Sequence, residues 1–196
     1  MKKFLAALIV LILFAATVSA ESMPVRIACL PIIFQSTIPD AETCAGLETK
    51  IERAIHIPLN GTLQLAEYLP PKDSAQTLND LWQDMRAENK KAKLADAMRP
   101  LAQKLDADII VCPILKQYSQ YTSMSSGWHG ETILTCQVRV ELIVYDRRTD
   151  ELIDKKASQM YHDSYSLRGT ASYLAGICFD SVIEDSQLHQ RIMAIR

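Results

Sequence analysis

Residues 107–115, ADIIVCPIL, are almost entirely apolar, and residues 25–34, VRIACLPIIF, have the same character near the start of the chain. Short apolar runs that are rich in Ile and Val are typical of strands covered on both faces of a sheet. Pro31 interrupts the earlier run, but its other residues still fit a central strand. The sequence therefore predicts two buried strands, one at each of these runs.

A different pattern follows, in which apolar and polar side chains alternate through residues 136–144. An alternation with a period of two predicts an antiparallel strand with one buried face. Residues 146–150, DRRTD, then form a polar turn, and residues 151–161 supply a more polar partner strand. Lys155 and Lys156 on this partner suit the edge of a sheet, where charge discourages unwanted pairing.

Apolar residues recur at helical spacing in four other segments. These stripes are Leu47, Ile51, Ala54 and Ile55; Leu78, Leu81, Trp82 and Met85; Leu94, Met98, Leu101, Ala102 and Leu105; and Leu174, Ile177, Cys178 and Val182. Asp73 or Ser74 can cap the second helix, Pro100 should bend the third or lie near its start, and the last begins at about Thr170. Residues 62–69 predict one further, modest strand before Pro70 and Pro71.

These elements follow one another in the order β-α-β-α-α-β-β-β-α. We expect a single α/β domain over residues 21–196, with a mixed sheet of about five strands and helices packed on it. A chain of this length buries about 70% of the surface that it exposes when unfolded, so the core needs no metal or disulfide scaffold.

The first twenty residues differ from the rest of the chain. Lys2 and Lys3 precede an uninterrupted apolar run over residues 4–16, and small residues end in Ala20. This arrangement is typical of a cleaved secretory signal peptide, and the run is shorter than the ~20 residues that span a bilayer. An uncleaved N-terminal anchor remains the alternative. The sequence predicts an exported protein that is periplasmic or associated with the cell envelope.

The composition of the exported part excludes some classes of partner. Loss of Lys2 and Lys3 lowers the formal net charge from −2 to −4, whereas nucleic-acid binding calls for a concentrated basic face. No later apolar run is long enough for a membrane span. Glu21 follows the predicted cleavage site, so the sequence predicts that the protein is not a lipoprotein.

The chain contains five cysteines, Cys29, Cys44, Cys112, Cys136 and Cys178, and none forms a C-x-x-C pair. This spacing argues against a thioredoxin-like redox pair and against a zinc knuckle. Most of these residues are interpreted as small buried hydrophobes. One or two disulfides remain open, since an exported protein can form them.

Several of these segments together resemble a known α/β module of bacterial envelope proteins. The resemblance is carried by the opening strand IACLP at residues 27–31, by LDADIIV at residues 105–111 and by LIVYDRRTDEL at residues 142–152. The module is shared by the N-terminal domain of the Tol-system protein TolB, the curli-secretion protein CsgG and the penicillin-binding-protein activator lipoprotein LpoB. Asp150 stands where that family usually has Gly, and Asp tolerates the left-handed conformation that the turn requires. Pro113 also stands where the family commonly shows Gly. The resemblance implies an envelope protein that works through protein contacts, and it transfers no active site.

Candidate catalytic and metal-binding groups are dispersed along the chain. The four histidines, His56, His129, His162 and His189, form no metal-binding motif, and neither G-x-G-x-x-G nor a P-loop is present, so we expect no metal and no cofactor. Two enzyme alternatives stay open. One is a thiol enzyme that uses Cys178 and His162, and the other is a hydrolase that uses Ser125, Ser126 and His129.

The irregular segment at residues 118–130, YSQYTSMSSGWHG, joins two predicted strands and is longer than an ordinary hairpin loop. It places Tyr118, Tyr121 and Trp128 among small polar residues, a composition common in recognition surfaces. Tyr118 and Trp128 could instead pair across the strands and cover the end of the sheet.

We therefore expect a non-enzymatic interaction or assembly module of the cell envelope, with Tyr118, Tyr121 and Trp128 as partner-binding residues. The expected partner is another envelope protein, and a homo-oligomer is possible. A small exported hydrolase or thiol enzyme is the alternative.

Overall fold

Six strands form one open mixed sheet in the computed structural model of the protein, which describes residues 23–124 and 130–194. The strands are β1 Val25–Cys29, β2 Ile33–Phe34, β3 Ala66–Tyr68, β4 Ile109–Met124, β5 Thr132–Asp146 and β6 Glu151–Ser164. Their order across the sheet is β3-β1-β4-β5-β6, and β2 extends the line of β1 along β4. Strands β1, β2 and β3 run parallel to their neighbours, whereas β4, β5 and β6 are antiparallel.

Six α-helices lie in the described parts of the chain. They are α1 Ala41–Ile55, α2 Asn60–Leu63, α3 Pro71–Glu88, α4 Leu94–Leu105, α5 Ala171–Asp185 and α6 Leu188–Met193, with a 3₁₀ turn at Leu167–Gly169. Helices α1, α5 and α6 pack on one face of the sheet, and α3 and α4 pack on the other. The α/β architecture that the sequence predicts is therefore confirmed.

Alternate residues of the central strands enter the two apolar layers. Ile27 and Val111 pack towards α1 and α5, whereas Ala28 and Ile110 pack towards α3 and α4. All four side chains are fully buried. This double burial explains why residues 25–29 and 109–115 are apolar throughout and show no alternation.

Three elements differ from the sequence-based expectation. The run at residues 25–34 is two strands, because the exposed Pro31 separates β1 from β2. Residues 62–69 hold only the three-residue β3, and residues 60–63 form the short helix α2. Residues 118–124 were expected in a loop, but they belong to β4, which pairs with β5 as far as Met124 and Thr132.

The turn between β5 and β6 takes the form that its sequence predicts. Asp150 has a φ of 55°, in the left-handed region. Its carboxylate accepts hydrogen bonds from the hydroxyl of Tyr145, at 2.8 Å, and from the guanidinium of Arg99, at 2.5 Å. The bond from Arg99 holds the turn against the middle of α4, and the bond from Tyr145 holds it against β5.

The five thiols are all free. Cys112, Cys136 and Cys178 are buried among apolar side chains, which confirms their interpretation as small hydrophobes. Within the described ranges, no helix is long and apolar enough to cross a membrane. The predicted signal peptide at residues 1–20 lies outside those ranges and stays a prediction.

Candidate partner-binding surface

Tyr118 and Tyr121 lie on opposite faces of the hairpin formed by β4 and β5. Tyr118 pairs with Val138, whose side chain is in the apolar layer beneath α5. Tyr121 pairs with Thr135, one residue away from the buried Leu134 and Cys136, and therefore points to the other face. The two tyrosines cannot contact one flat partner surface together.

Tyr118 is part of the folded core. Its ring is half-buried and packs against the apolar layer, and its backbone N–H donates to the Ser36 hydroxyl at 3.0 Å. Burial raises the pKa of the Tyr118 phenol, although a hydrogen bond with Thr43 of α1 acts in the opposite direction. These contacts give Tyr118 a role in joining the hairpin to α1.

Tyr121 belongs to a surface that the helices leave uncovered. The side chains of α3 and α4 pack against β4 and β5 only near Ile110, Ile114 and Ile143, at the end remote from the hairpin tip. Beyond that region, two neighbouring rows of paired residues run across β4, β5 and β6 on the uncovered face. We term this surface the open face, and its residues are Ser119, Tyr121, Thr135, Gln137, Met160 and His162. Tyr121 is 60% exposed and Met160 is 71% exposed.

Polar contacts between neighbouring strands order the part of the open face that lies between Tyr121 and Met160. The Thr135 hydroxyl lies 2.7 Å from Nδ1 of His162 on the neighbouring strand. Gln117 donates from Nε2 to Oε1 of Gln137 at 2.7 Å. An ordered polar surface with exposed Tyr and Met is suited to contact with another protein.

The third predicted residue, Trp128, lies outside the described residues, as do Ser125, Ser126 and His129. The roles predicted for Trp128 in binding and for Ser125, Ser126 and His129 in catalysis therefore stay predictions. Strand β6, which contributes Met160 and His162 to the open face, is an edge strand as the sequence predicts. Lys156 carries a charge there and lies 2.6 Å from Asp154.

The thiol pair proposed from the sequence does not come together. Cys178 packs into the layer between α5 and the sheet, and burial raises the pKa of its thiol to about 11. His162 lies on the open face, with its ring against Thr135. The sheet separates the two groups, so His162 cannot activate Cys178.

The sequence interpretation missed a cavity of about 520 Å³ beside the ends of β1 and β3. Its wall includes Cys29, Glu48, Glu52 and His56. Burial, with a smaller contribution from the Glu52 carboxylate, raises the pKa of the Cys29 thiol to about 12, which keeps it neutral and weakly nucleophilic. The signal in the sequence was the helical spacing of Glu48, Ile51, Glu52 and Ile55, which places acidic and apolar side chains on one face of α1.

The described residues contain no group of three His, Cys, Asp or Glu side chains that could hold a metal ion. His189 lies on α6, with Nδ1 at 3.2 Å from the carbonyl oxygen of Ala54. His56 follows the last residue of α1, and His162 is on the open face.

No protein-family model matches the chain, and no curated protein matches it. Several solved structures resemble it. Lipoprotein GNA1162 from Neisseria meningitidis is 18% identical, with a TM-score of 0.39 over 84% of this chain and 99% of that chain. The PelC dodecamer from Paraburkholderia phytofirmans is 16% identical, with a TM-score of 0.39 over 85% of this chain and 89% of that chain. A minor lipoprotein from Acinetobacter baumannii is 11% identical, with a TM-score of 0.27 over 86% and 90% of the two chains.

These names correct one prediction. The sequence predicted that the protein is not a lipoprotein, whereas two of the similar structures are named lipoproteins. The exclusion depended on cleavage after Ala20 and on Glu21 as the first mature residue, and both positions lie outside the described residues. The exclusion is therefore withdrawn. The narrower resemblance to TolB, CsgG and LpoB stays a prediction.

Proposed function

We propose that this protein is a non-enzymatic interaction module of the bacterial cell envelope and that the open face binds its protein partner. The observation that carries the proposal is the uncovered part of the antiparallel sheet. Helix α5 covers one face of the sheet. Helices α3 and α4 cover only part of the other face, and the open face presents Tyr121 and Met160 to solvent. An antiparallel sheet can leave one face in water, and the proposal assigns the contact with the partner to the exposed Tyr121 and Met160 side chains on that face.

Within this surface, Tyr121 is the proposed anchor. Tyr carries a large apolar ring with one polar tip and loses little conformational entropy on binding. Its ring stands in the same row as Thr135 and His162, whose mutual contact at 2.7 Å fixes the adjacent surface. Met160, on the neighbouring row, adds an adaptable apolar contact.

Trp128 lies outside the described residues, and the proposal keeps its predicted partner-binding role. Tyr118 does not belong to this surface, because it packs on the opposite face against the core. Its predicted partner-binding role is therefore replaced by a structural one in the proposal.

The proposal can be tested by photocrosslinking in intact cells. A photoreactive phenylalanine analogue at Tyr121 should give a discrete crosslinked product in the envelope fraction. The same analogue at Tyr173 is the matched control, because Tyr173 is also exposed, at 46%, but lies on α5. A product of twice the chain mass would identify a second copy of this protein as the partner, and a product of another mass would identify a different protein.

The affinity of the identified partner then measures the contribution of the anchor. Tyr121→Ala should weaken binding by about 2 kcal/mol or more, the usual threshold for a hot spot, while Tyr173→Ala leaves it unchanged. Equal crosslinking from both positions, or unaltered affinity in a folded Tyr121→Ala variant, would exclude the open face.

A further inference from the structure

The cavity of about 520 Å³ lies where α/β proteins commonly bind small molecules. The parallel strands β1 and β3 both end at it, through Cys29 and Tyr68. Ligands of open α/β sheets bind in the crevice outside the carboxyl ends of parallel strands. The volume falls within the range of about 300–1,000 Å³ that is usual for ligand pockets.

The inner wall of the cavity is apolar. Ile27 in the middle of β1 and Ile51 and Ile55 from α1 contribute branched side chains. Pro70 and Pro71 also line the cavity, and neither has a backbone N–H to offer. Such a wall favours the hydrocarbon part of a ligand, because burying apolar surface is favourable by about 25 cal/mol per Å².

The rim of the cavity on α1 is negatively charged. Glu48 and Glu52 are one helical turn apart and both line the cavity. No Lys or Arg is among the lining residues, and neither carboxylate forms a salt bridge with another described residue. The C-terminal end of α1 reaches the same rim, and a helix C-terminus favours a positive charge. These groups together attract a cation.

Hydrogen bonds shape this site before any ligand enters. The Tyr68 hydroxyl donates to the carbonyl oxygen of Ile55 at 2.9 Å and accepts from the backbone N–H of Ile57 at 3.1 Å. These two bonds fasten the end of α1 to β3 on one side of the cavity. A wall that is already ordered spares a ligand part of the entropic cost of binding.

We infer that this cavity binds a small organic cation, with its hydrocarbon body against Ile27, Ile51 and Ile55 and its ammonium group beside Glu48 and Glu52. Lys50 of the same helix does not compete for these carboxylates, because it pairs with Asp180 at 2.7 Å. This site lies at the parallel end of the sheet and does not depend on the open face or on its partner.

Two probes of matched length test the inference. Decyltrimethylammonium and decyl sulfate carry the same hydrocarbon chain with opposite charges, and both can be titrated calorimetrically into the purified protein below their micellar concentrations. The cation should bind with one-to-one stoichiometry, and the anion should bind at least about 10-fold more weakly, or about 1.4 kcal/mol.

Charge-removing variants locate the binding. Replacing both carboxylates in a Glu48→Gln/Glu52→Gln variant should weaken binding of the cation by about 10-fold or more and leave the melting temperature near that of the parent, because both side chains are exposed. Glu42→Gln is the matched control, since Glu42 is on α1 but does not line the cavity. Failure of the cation to bind, equal binding of the two probes, or unchanged affinity in the double variant would overturn the inference.

Discussion

The ammonium of Lys116 contacts the buried carboxylate of Glu141 at a β-bulge between β4 and β5. The register shifts between Leu115 and Gln117, and this leaves Lys116 without a partner residue on β5. Glu141 is only 5% exposed, and its Oε2 has no hydrogen-bond donor of good geometry among the described residues, so the contact is an ion pair. The extra residue of the bulge thus supplies the charge that a buried carboxylate needs.

Removing that charge should destabilise the fold. Lys116→Met leaves Glu141 with the ammonium of Lys156 at 3.6 Å, too far for a hydrogen bond. We expect the free energy of unfolding, measured by urea denaturation, to fall by about 1–3 kcal/mol, the range for a buried polar group that loses its partner. Lys156→Met is the control and should cost less, because Lys156 is mostly exposed.

The same ion pair predicts a compensating variant. Glu141→Leu combined with Lys116→Met removes both charges, and the double variant should be more stable than Lys116→Met alone. A double variant less stable than the single one would show that Glu141 has another stabilising role.

Two glycines should respond in opposite directions to alanine. A Cβ on Gly169 would overlap the ring of Tyr161, with Cζ only 2.6 Å away, so Gly169→Ala should cost about 1–3 kcal/mol of unfolding free energy. Gly46 lies inside α1 with no atom within 4 Å of such a Cβ, so Gly46→Ala should stabilise by about 0.5–1 kcal/mol. Thermal unfolding of the two variants measures the direction of each change in stability. A Gly169→Ala variant as stable as the parent would mean that the Tyr161 ring moves freely.

The salt bridges of Asp106 predict a pH-dependent stability. A hydrogen bond from Arg147, assisted by Arg26, lowers the pKa of the Asp106 carboxyl. Its stabilising contribution is therefore fully present above about pH 4, the usual pKa of Asp in an unfolded chain, and is lost as the pH falls through the lower folded value.

Arg147→Met should reveal this dependence. The variant should unfold at a lower urea concentration than the parent at pH 7, and the difference between the two should shrink at pH 2.5. Arg53→Met serves as the control, because Arg53 forms no salt bridge with the other described residues and should show no such trend. An Arg147 effect of equal size at both pH values would contradict the role of Asp106.

The opposite placement of two tyrosines predicts different stability effects. Tyr118→Ala should lower the free energy of unfolding by about 2 kcal/mol, less than the 3–5 kcal/mol typical of a fully buried aromatic residue, because the ring is half-buried. Tyr121→Ala should stay within about 0.5 kcal/mol of the parent, as exposed positions usually do. Chemical denaturation measures both variants, and a reversed order would contradict the assignment of their faces.

Local patterns in the sequence predict most of the architecture. The apolar runs around Ile27 and Ile110 correctly predict strands buried on both faces. The helix stripes place α1, α3, α4 and α5 to within a few residues. Asp150 correctly predicts a left-handed turn. Each of these inferences depends on a side-chain period or on a backbone preference, which are properties that neighbouring residues share.

The candidate sites depended on tertiary structure instead. Residues 118–124 are mostly polar, which suits a part of β4 with one uncovered face. The helices α3 and α4 leave that face uncovered, and the sequence of the strand alone does not show how far these helices reach. The bulge near Lys116 sets which face Tyr118 and Tyr121 occupy, and no local pattern signals a bulge.

The cavity shows the same division between sequence and fold. The spacing of Glu48 and Glu52 places them on one face of a helix, and this much is determined by the sequence. Their position beside Cys29, Tyr68 and Pro70 requires the parallel pairing of β1 and β3. That pairing depends on the summed burial of distant apolar side chains, so only the folded chain brings the acidic rim and the apolar wall together.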